Sequence, residues 1–243
     1  MAVAYANRRL GIPVTVAVPE TSTERAKELL QLEKAEVIMH GTSWQEANSF
    51  AESLIGAADA FLHPFDDPLL WIGHATLVDE VYCSGLKPDA VVLSVGGGGL
   101  LSSVVEELHR NGWNNILVFT VETTGAASFH AAVTSGYIVE LEQITSIVTS
   151  LGAKRVCEKA FQYTKEHSIH SVVVSDQDAL SACERFLNDH RILVEPACGA
   201  SLAMAYKNAP ELQGFDNILV VVCGGATSTI DKIRELRGNW HDL

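Results

Sequence analysis

Four consecutive glycines, Gly96, Gly97, Gly98 and Gly99, stand between a β-branched apolar run, Ala90–Val95, and a helical pattern, Leu100–Asn111. Glycine reaches positive φ without a Cβ clash, so successive backbone N–H groups can converge on one anion. The helix that follows adds the positive end of its dipole near Leu100. Such a turn predicts a phosphate ligand; the competing account is a tight turn where backbone passes a neighbour closely. A Walker loop would need a lysine after the glycines, and none follows. A dinucleotide fingerprint needs a further glycine where Leu101 and Ser102 stand. Glu122, at the end of the next strand-like run, would suit a ribose hydroxyl and keeps that alternative open. A single phosphate monoester whose ring is held elsewhere fits better.

The second chemical signal is Val222-Cys223-Gly224-Gly225, at the exit of a late strand. Open α/β sheets bind ligands at the carboxyl ends of their strands, so Gly96 and Cys223 are expected to face one crevice. Cys223 would offer a weak neutral donor or acceptor there. Taken alone, it reads as a buried cysteine acting as a small hydrophobe. The other cysteines, Cys83, Cys157, Cys183 and Cys198, are scattered and form no C-x-x-C pair. That argues against a disulfide framework or structural zinc and for a reducing, cytoplasmic setting. His167 and His170 sit near a helix end with no third ligand in view and read as a plain surface pair.

A net charge of −13 with no basic cluster argues against nucleic acid or an anionic membrane as partner. The apolar runs are strand-length, too short to span a bilayer, and the N-terminal charges follow the apolar residues, the wrong order for a secretory signal.

These residues need elements to position them, and the chain alternates helical and strand patterns throughout, the mark of a parallel sheet wrapped by helices. Helices are predicted over Met1–Leu10, after the Thr21-Ser22-Thr23 cap to about Lys34, and over Ser43–Ile55 with Glu46 placed for a capping box. A fourth follows Pro68, with Trp71, Ala75, Val78 and Tyr82 on one stripe. Later helices are predicted over Leu100–Asn111, Ser128–Thr134, Lys154–His167, Asp176–Asn188, Pro196–Tyr206 and Ser228–Leu236. Strands are expected at Val14–Val18, Val37–Met39, Ala90–Val95, Ile116–Val121, Ser171–Val174 and, buried, Ile218–Val222. Ile144–Leu151 is open between loop and helix. Because a parallel strand needs a crossover from another strand, Val14–Val18 is expected to have lost a partner, as if the chain began inside a βαβ unit.

Five segments together resemble one family. Ser94-Val95-Gly96-Gly97-Gly98-Gly99-Leu100 resembles the phosphate loop of fold-type II pyridoxal-phosphate enzymes. Pro64-Phe65-Asp66-Asp67-Pro68, Val121-Glu122-Thr123-Thr124-Gly125-Ala126, Val194-Glu195-Pro196-Ala197-Cys198-Gly199-Ala200 and Val222-Cys223-Gly224-Gly225 resemble its L-serine dehydratase/L-threonine deaminase branch. The resemblance implies an α/β fold of the tryptophan synthase β-like kind, with a small-domain remnant over residues 1–63 and a large cofactor domain over residues 64–243. It implies that Gly96, Gly97, Gly98, Gly99 and Leu100 hold the phosphate of pyridoxal 5'-phosphate. Ser150-Leu151-Gly152 would lie against the ring, with Cys223 and Gly224 at its pyridine nitrogen. It also implies a monovalent cation, typically potassium, on Gly96, Glu122, Ala126, Leu151 and Ala153, with Glu122 otherwise read as a solvated strand end. The implied activity is a lyase that eliminates water, then ammonia, from L-serine and L-threonine, in a homodimer taking a small amino-acid substrate.

One departure stands beside these matches. The family's Schiff-base lysine belongs upstream of Met1 in its pattern. Lys27, Lys34, Lys87, Lys154, Lys159, Lys165, Lys207 and Lys232 all fall outside that motif and read as solvated surface. No catalytic residue is therefore assigned within the chain, which is expected to lack the N-terminal part of the fold and, alone, to be inactive. The rival readings are a non-catalytic fragment or pseudoenzyme, a β-replacement enzyme such as cysteine synthase, and a nucleotide binder at the same glycines.

Overall fold

The computed structural model describes residues 1–238, which divide into two compact units, the first Met1–Leu62 and the second from His63 onward. The first holds α1 (Ala2–Leu10), β1 (Thr15–Val18), α2 (Glu24–Leu32), β2 (Glu36–Met39) and α3 (Trp44–Ser53). Thr23 caps α2 through its side chain, and Ser43 with Glu46 closes the expected capping box on α3. Strand β1 is not left without a partner: it pairs in parallel with β2, Thr15 opposite Glu36 through Val18 opposite Met39. The buried core here is small, Ala4, Leu30 and Ala35 under Val14, Val16, Val18 and Val37.

The second unit holds α4 (Pro68–Cys83), β3 (Ala90–Ser94), α5 (Gly99–Arg110), β4 (Leu117–Thr123) and α6 (Ser128–Ser135), followed by α7 (Glu158–Glu166), β5 (Ile169–Val174), α8 (Asp176–His190), α9 (Pro196–Tyr206), β6 (Ile218–Val220) and α10 (Ile230–Gly238). Its sheet is wholly parallel, in the order β5-β4-β3-β6. Strand β3 is central and β-branched on both faces, as a strand covered by helices on each side must be. Val91 and Leu93 pack with Val104, Val105 and Leu108 of α5, whereas Ala90 and Val92 pack with Ala197, Ala200 and Met204 of α9. Residues 90–93 have no exposed surface. Each such Val or Leu side chain contributes about 1.5–3 kcal/mol.

Several boundaries differ from the sequence expectation, each for a tertiary reason. Helix α7 starts at Glu158 rather than Lys154, because Cys157 is held extended and donates its N–H to Gly97 O at 2.9 Å. Strand β6 is short and half-buried rather than buried through Val222: Val221 N–H still reaches Val92 O at 2.9 Å, and the chain then turns away. Strand β4 runs on to Thr123 and β5 starts early at Ile169, since each is paired over that length. Residues 144–151 are irregular, ending in a single 3-10 turn, Thr149–Leu151. Tyr82 of the α4 stripe is exposed, its ring 5.2 Å from that of Trp113.

Candidate active site

Strands β3 and β4 are consecutive neighbours, but the other neighbour of β3 is β6, so the sheet order reverses at β3. Ligands of open α/β sheets sit at that reversal, outside the carboxyl ends of the strands. The turns carrying Gly96 and Cys223 leave from those two adjacent ends. Helix α9 ties them together: Ser94 Oγ donates to Ala197 O at 2.5 Å, and Ser201 Oγ donates to Val221 O at 3.2 Å.

The close-approach account of the glycine run is met in the packing around it. Gly98 sits at φ 95°, capping α5, and a Cβ there would come within 2.6 Å of Ala160 Cβ. A Cβ on Gly97 would strike the Phe65 ring, and one on Gly99 the Phe65 backbone; at Gly96 it would stand 3.2 Å from Leu151 Cα and Ser150 O. The turn is therefore closely packed. Its polar groups are sorted as well. Gly97 O accepts from Cys157 N–H, Gly98 O from Ser102 N–H and its hydroxyl, and Gly99 O from Ser103 Oγ. Among the described residues nothing accepts from the N–H groups of Gly97, Gly98, Gly99 or Leu100. Carbonyls turned into the fold and free N–H groups at a helix start are what an anion requires.

Glu122 is fully buried, so neither the solvated strand end nor the ribose contact describes it. Its Oε1 accepts from Phe129 N–H at 2.9 Å and its Oε2 from His130 N–H at 2.6 Å, at the start of α6. Burial nevertheless raises its pKa to about 8, against the pull of those two bonds. No basic side chain pairs with it among the described residues. Ala126 and Leu151 are buried, Ala153 is half-buried and Ser150 is exposed on the 3-10 turn. The turn is anchored by Ser146, whose hydroxyl donates to Asp176 Oδ1 at 2.6 Å, lies 2.8 Å from Thr123 Oγ1 and accepts from Val148 N–H.

Cys223 is exposed, not the buried hydrophobe that it resembles in isolation. Its Sγ lies 3.5 Å from Sγ of Cys198, which is buried on α9. Either sulfur can donate in this contact, and the Cys198 thiol also reaches Gly224 O at 3.1 Å; the contact with Cys223, helped by Gly224 N–H, outweighs burial and lowers the Cys198 pKa. The same contact, with burial, pushes the Cys223 thiol up. Sequence reasoning missed this pair, since 25 residues separate the cysteines along the chain. The one hint was that each stands beside an element end expected at the same end of the sheet. The expected surface pair of histidines is also corrected: His167 is buried, 2.7 Å from Ile116 O and 3.0 Å from Nε2 of His109, while only His170 is exposed.

Residues 1–224 match the family model for pyridoxal-phosphate dependent enzymes. The chain is 44% identical over 248 residues to the human L-serine dehydratase/L-threonine deaminase, covering 98% of this chain and 76% of that protein. It is 41% identical over 249 residues to the L-serine dehydratase of Dictyostelium discoideum, covering 96% of this chain and 71% of the relative. A fungal L-serine ammonia-lyase from Rhizomucor miehei superposes with a TM-score of 0.91 at 31% identity, over 98% of this chain and 78% of that one.

Proposed function

Since the chain belongs to the pyridoxal-phosphate dependent enzyme family, we propose that it is built for ammonia-lyase (dehydratase) chemistry on L-serine and L-threonine, releasing pyruvate or 2-oxobutyrate with ammonia. Its fold is that of the fold-type II enzymes. The observation that carries the reading is the glycine turn, with its carbonyls bonded inward and its N–H groups left for an anion. Gly96, Gly97, Gly98, Gly99 and Leu100 would hold the cofactor phosphate, with Ser150 and Leu151 beside the ring and Cys223 and Gly224 at its nitrogen. Bound there, pyridoxal phosphate supplies the electron sink that β-elimination needs. Cys223, a thiol whose pKa is shifted upward, would give the ring nitrogen a neutral partner, which suits elimination better than transamination. Glu122, buried without a cationic partner among the described residues, fits a potassium ion shared with Gly96, Ala126, Leu151 and Ala153, a site that would offset the cost of its charge. The reading extends to a cytoplasmic setting, which five free cysteines suit, and to a homodimer, which rests on the family resemblance alone.

One observation favours a binding rather than a catalytic role for these 243 residues. Lys27, Lys207 and Lys232 pair with Glu24, Asp178 and Glu235; Lys154 donates to Glu142 O; Lys159 and Lys165 lie over Tyr163 and Phe161. The test is a titration of the chain with pyridoxal phosphate, followed by borohydride reduction and a pyruvate assay on L-serine. Saturable binding is expected, weakened by inorganic phosphate and lost in Gly98→Ala, with no peptide-linked adduct and no pyruvate above background. Binding that ignores phosphate would remove the glycine turn from the site. An adduct on one of the eight lysines would make the chain catalytic as it stands.

A further inference from the structure

Glu195, Cys198 and Cys223 bring one carboxylate oxygen and two sulfurs within 4.8 Å of one another. We propose that these three side chains form a binding site for one thiophilic divalent cation of the zinc and cadmium class. Two thiolates on a tetrahedral zinc, at Zn–S of about 2.3 Å, stand about 3.8 Å apart. Cys198 and Cys223 stand 3.5 Å apart, close to that spacing and far from the ~2.05 Å of a disulfide. The carboxylate completes three protein ligands, and the exposure of Cys223 leaves a fourth position for water.

The site is built by backbone rather than by chance approach of long side chains. Glu195 and Cys198 lie at the start of α9, fixed by Pro196, and Cys223 lies on the turn after β6. Glu195 N–H donates to Gly224 O at 3.1 Å, stitching the two turns together. Gly225 packs against Leu193 O so tightly that a Cβ would not fit. The outer contacts suit a metal too: Thr227 Oγ1 donates to Glu195 Oε2 at 3.3 Å, and Gly224 N–H points at Cys198 Sγ at 3.3 Å. On binding, the two thiols release their protons to solvent, and two thiolates with a carboxylate then place the negative charge that a divalent ion balances, on residues other than Glu122. The site rests on this geometry alone. Its consequence rests on the function proposed above: a cation on Cys223 takes the sulfur that would face the cofactor ring, so cation and cofactor exclude each other.

Cadmium(II) is the probe. Titrated into the full chain without cofactor, it is expected to give a thiolate-to-cadmium ultraviolet band saturating at one ion per chain. Cys198→Ser and Cys223→Ser should each abolish the band, Cys83→Ser should leave it, and Glu195→Gln should weaken binding by about tenfold or more. X-ray absorption of the zinc-loaded wild-type chain, which needs no variant to fold, should show two sulfurs at about 2.3 Å. A shell of nitrogen and oxygen only, no saturable band, or a band surviving in both cysteine variants overturns the site. Added pyridoxal phosphate should then raise the cadmium concentration needed for saturation; unchanged saturation while the cofactor demonstrably binds overturns the exclusion. A filled cation site in a chain that binds no pyridoxal phosphate strikes the functional reading and leaves the cation site standing.

Discussion

Glu122 has both oxygens on the first N–H groups of α6 and no exposed surface. Burial costs its ionised form more than those bonds return, so folding raises its pKa from 4.5 to about 8. A group whose pKa rises on folding holds its proton more tightly when folded. Its contribution to stability is whole below pH 4.5 and is lost as pH climbs to about 8. In tetramethylammonium buffer, the melting temperature of the chain should fall across that window. Glu122→Gln should flatten this part of the profile, and potassium should restore the alkaline end only where Glu122 is present. An equal slope in both chains would remove Glu122 as its source, and an equal potassium effect would remove it as the cation ligand. The residue was legible in the sequence as a strand-end carboxylate. That it is buried was not, since burial comes from α6 folding back over it.

At the scale of elements, local signals place the starts of helices well and the segments that touch the glycine turn poorly. Asp67 accepts from Leu69 N–H at 2.8 Å, with Pro68 at the first position of α4, as a cap and a first-turn proline should. Just ahead of them, Phe65 lies on Gly97 and Gly99, and its carbonyl accepts from Trp71 Nε1 at 2.7 Å. Asp67→Ala is expected to cost about 1 kcal/mol in denaturant unfolding. Because α4 orients Phe65, it should also weaken pyridoxal-phosphate binding; affinity unchanged at reduced stability would separate the cap from the site. The late start of α7 and the early end of β6 have no local signature. Lys154–Cys157 has helical composition, but the bond from Cys157 N–H to Gly97 O holds Cys157 extended. Val221 and Val222 have strand composition, but their chain turns toward Glu195 and Cys198.

Over the whole molecule, burial is uneven between the two units. Strand β3 is covered on both faces, while β1 and β2 are partly exposed over a core of small residues. Local opening should therefore release the β1–β2 amides first. In hydrogen exchange, Val91, Val92 and Leu93 should be among the slowest amides and Val16 to Val18 markedly faster. Equal protection would mean that the small core is more stable than its buried area allows. The irregular stretch 144–151 depends on a contact across the unit, Ser146 and Ile147 N–H on Asp176. Asp176→Ala, which leaves those donors unsatisfied in a buried place, should cost about 2–4 kcal/mol by chemical denaturation. A loss under 1 kcal/mol would show that water replaces the carboxylate.

What the sequence determined by itself was whatever short-range chemistry encodes: the alternation of strand and helix, the caps, and a glycine turn between a strand and a helix. The ordered run of motifs across the chain carried the family with it. What only the tertiary structure decided was which distant groups meet. Strand order β4-β3-β6 sets the Cys223 turn beside the glycine turn, and α9 brings Cys198 to Cys223 across 25 residues. Burial of Glu122 and His167, and the pinned start of α7, follow from the same cause. Capping and periodicity act over a few residues and leave a local imprint in sequence, whereas strand order and close approach depend on the packing of the whole chain.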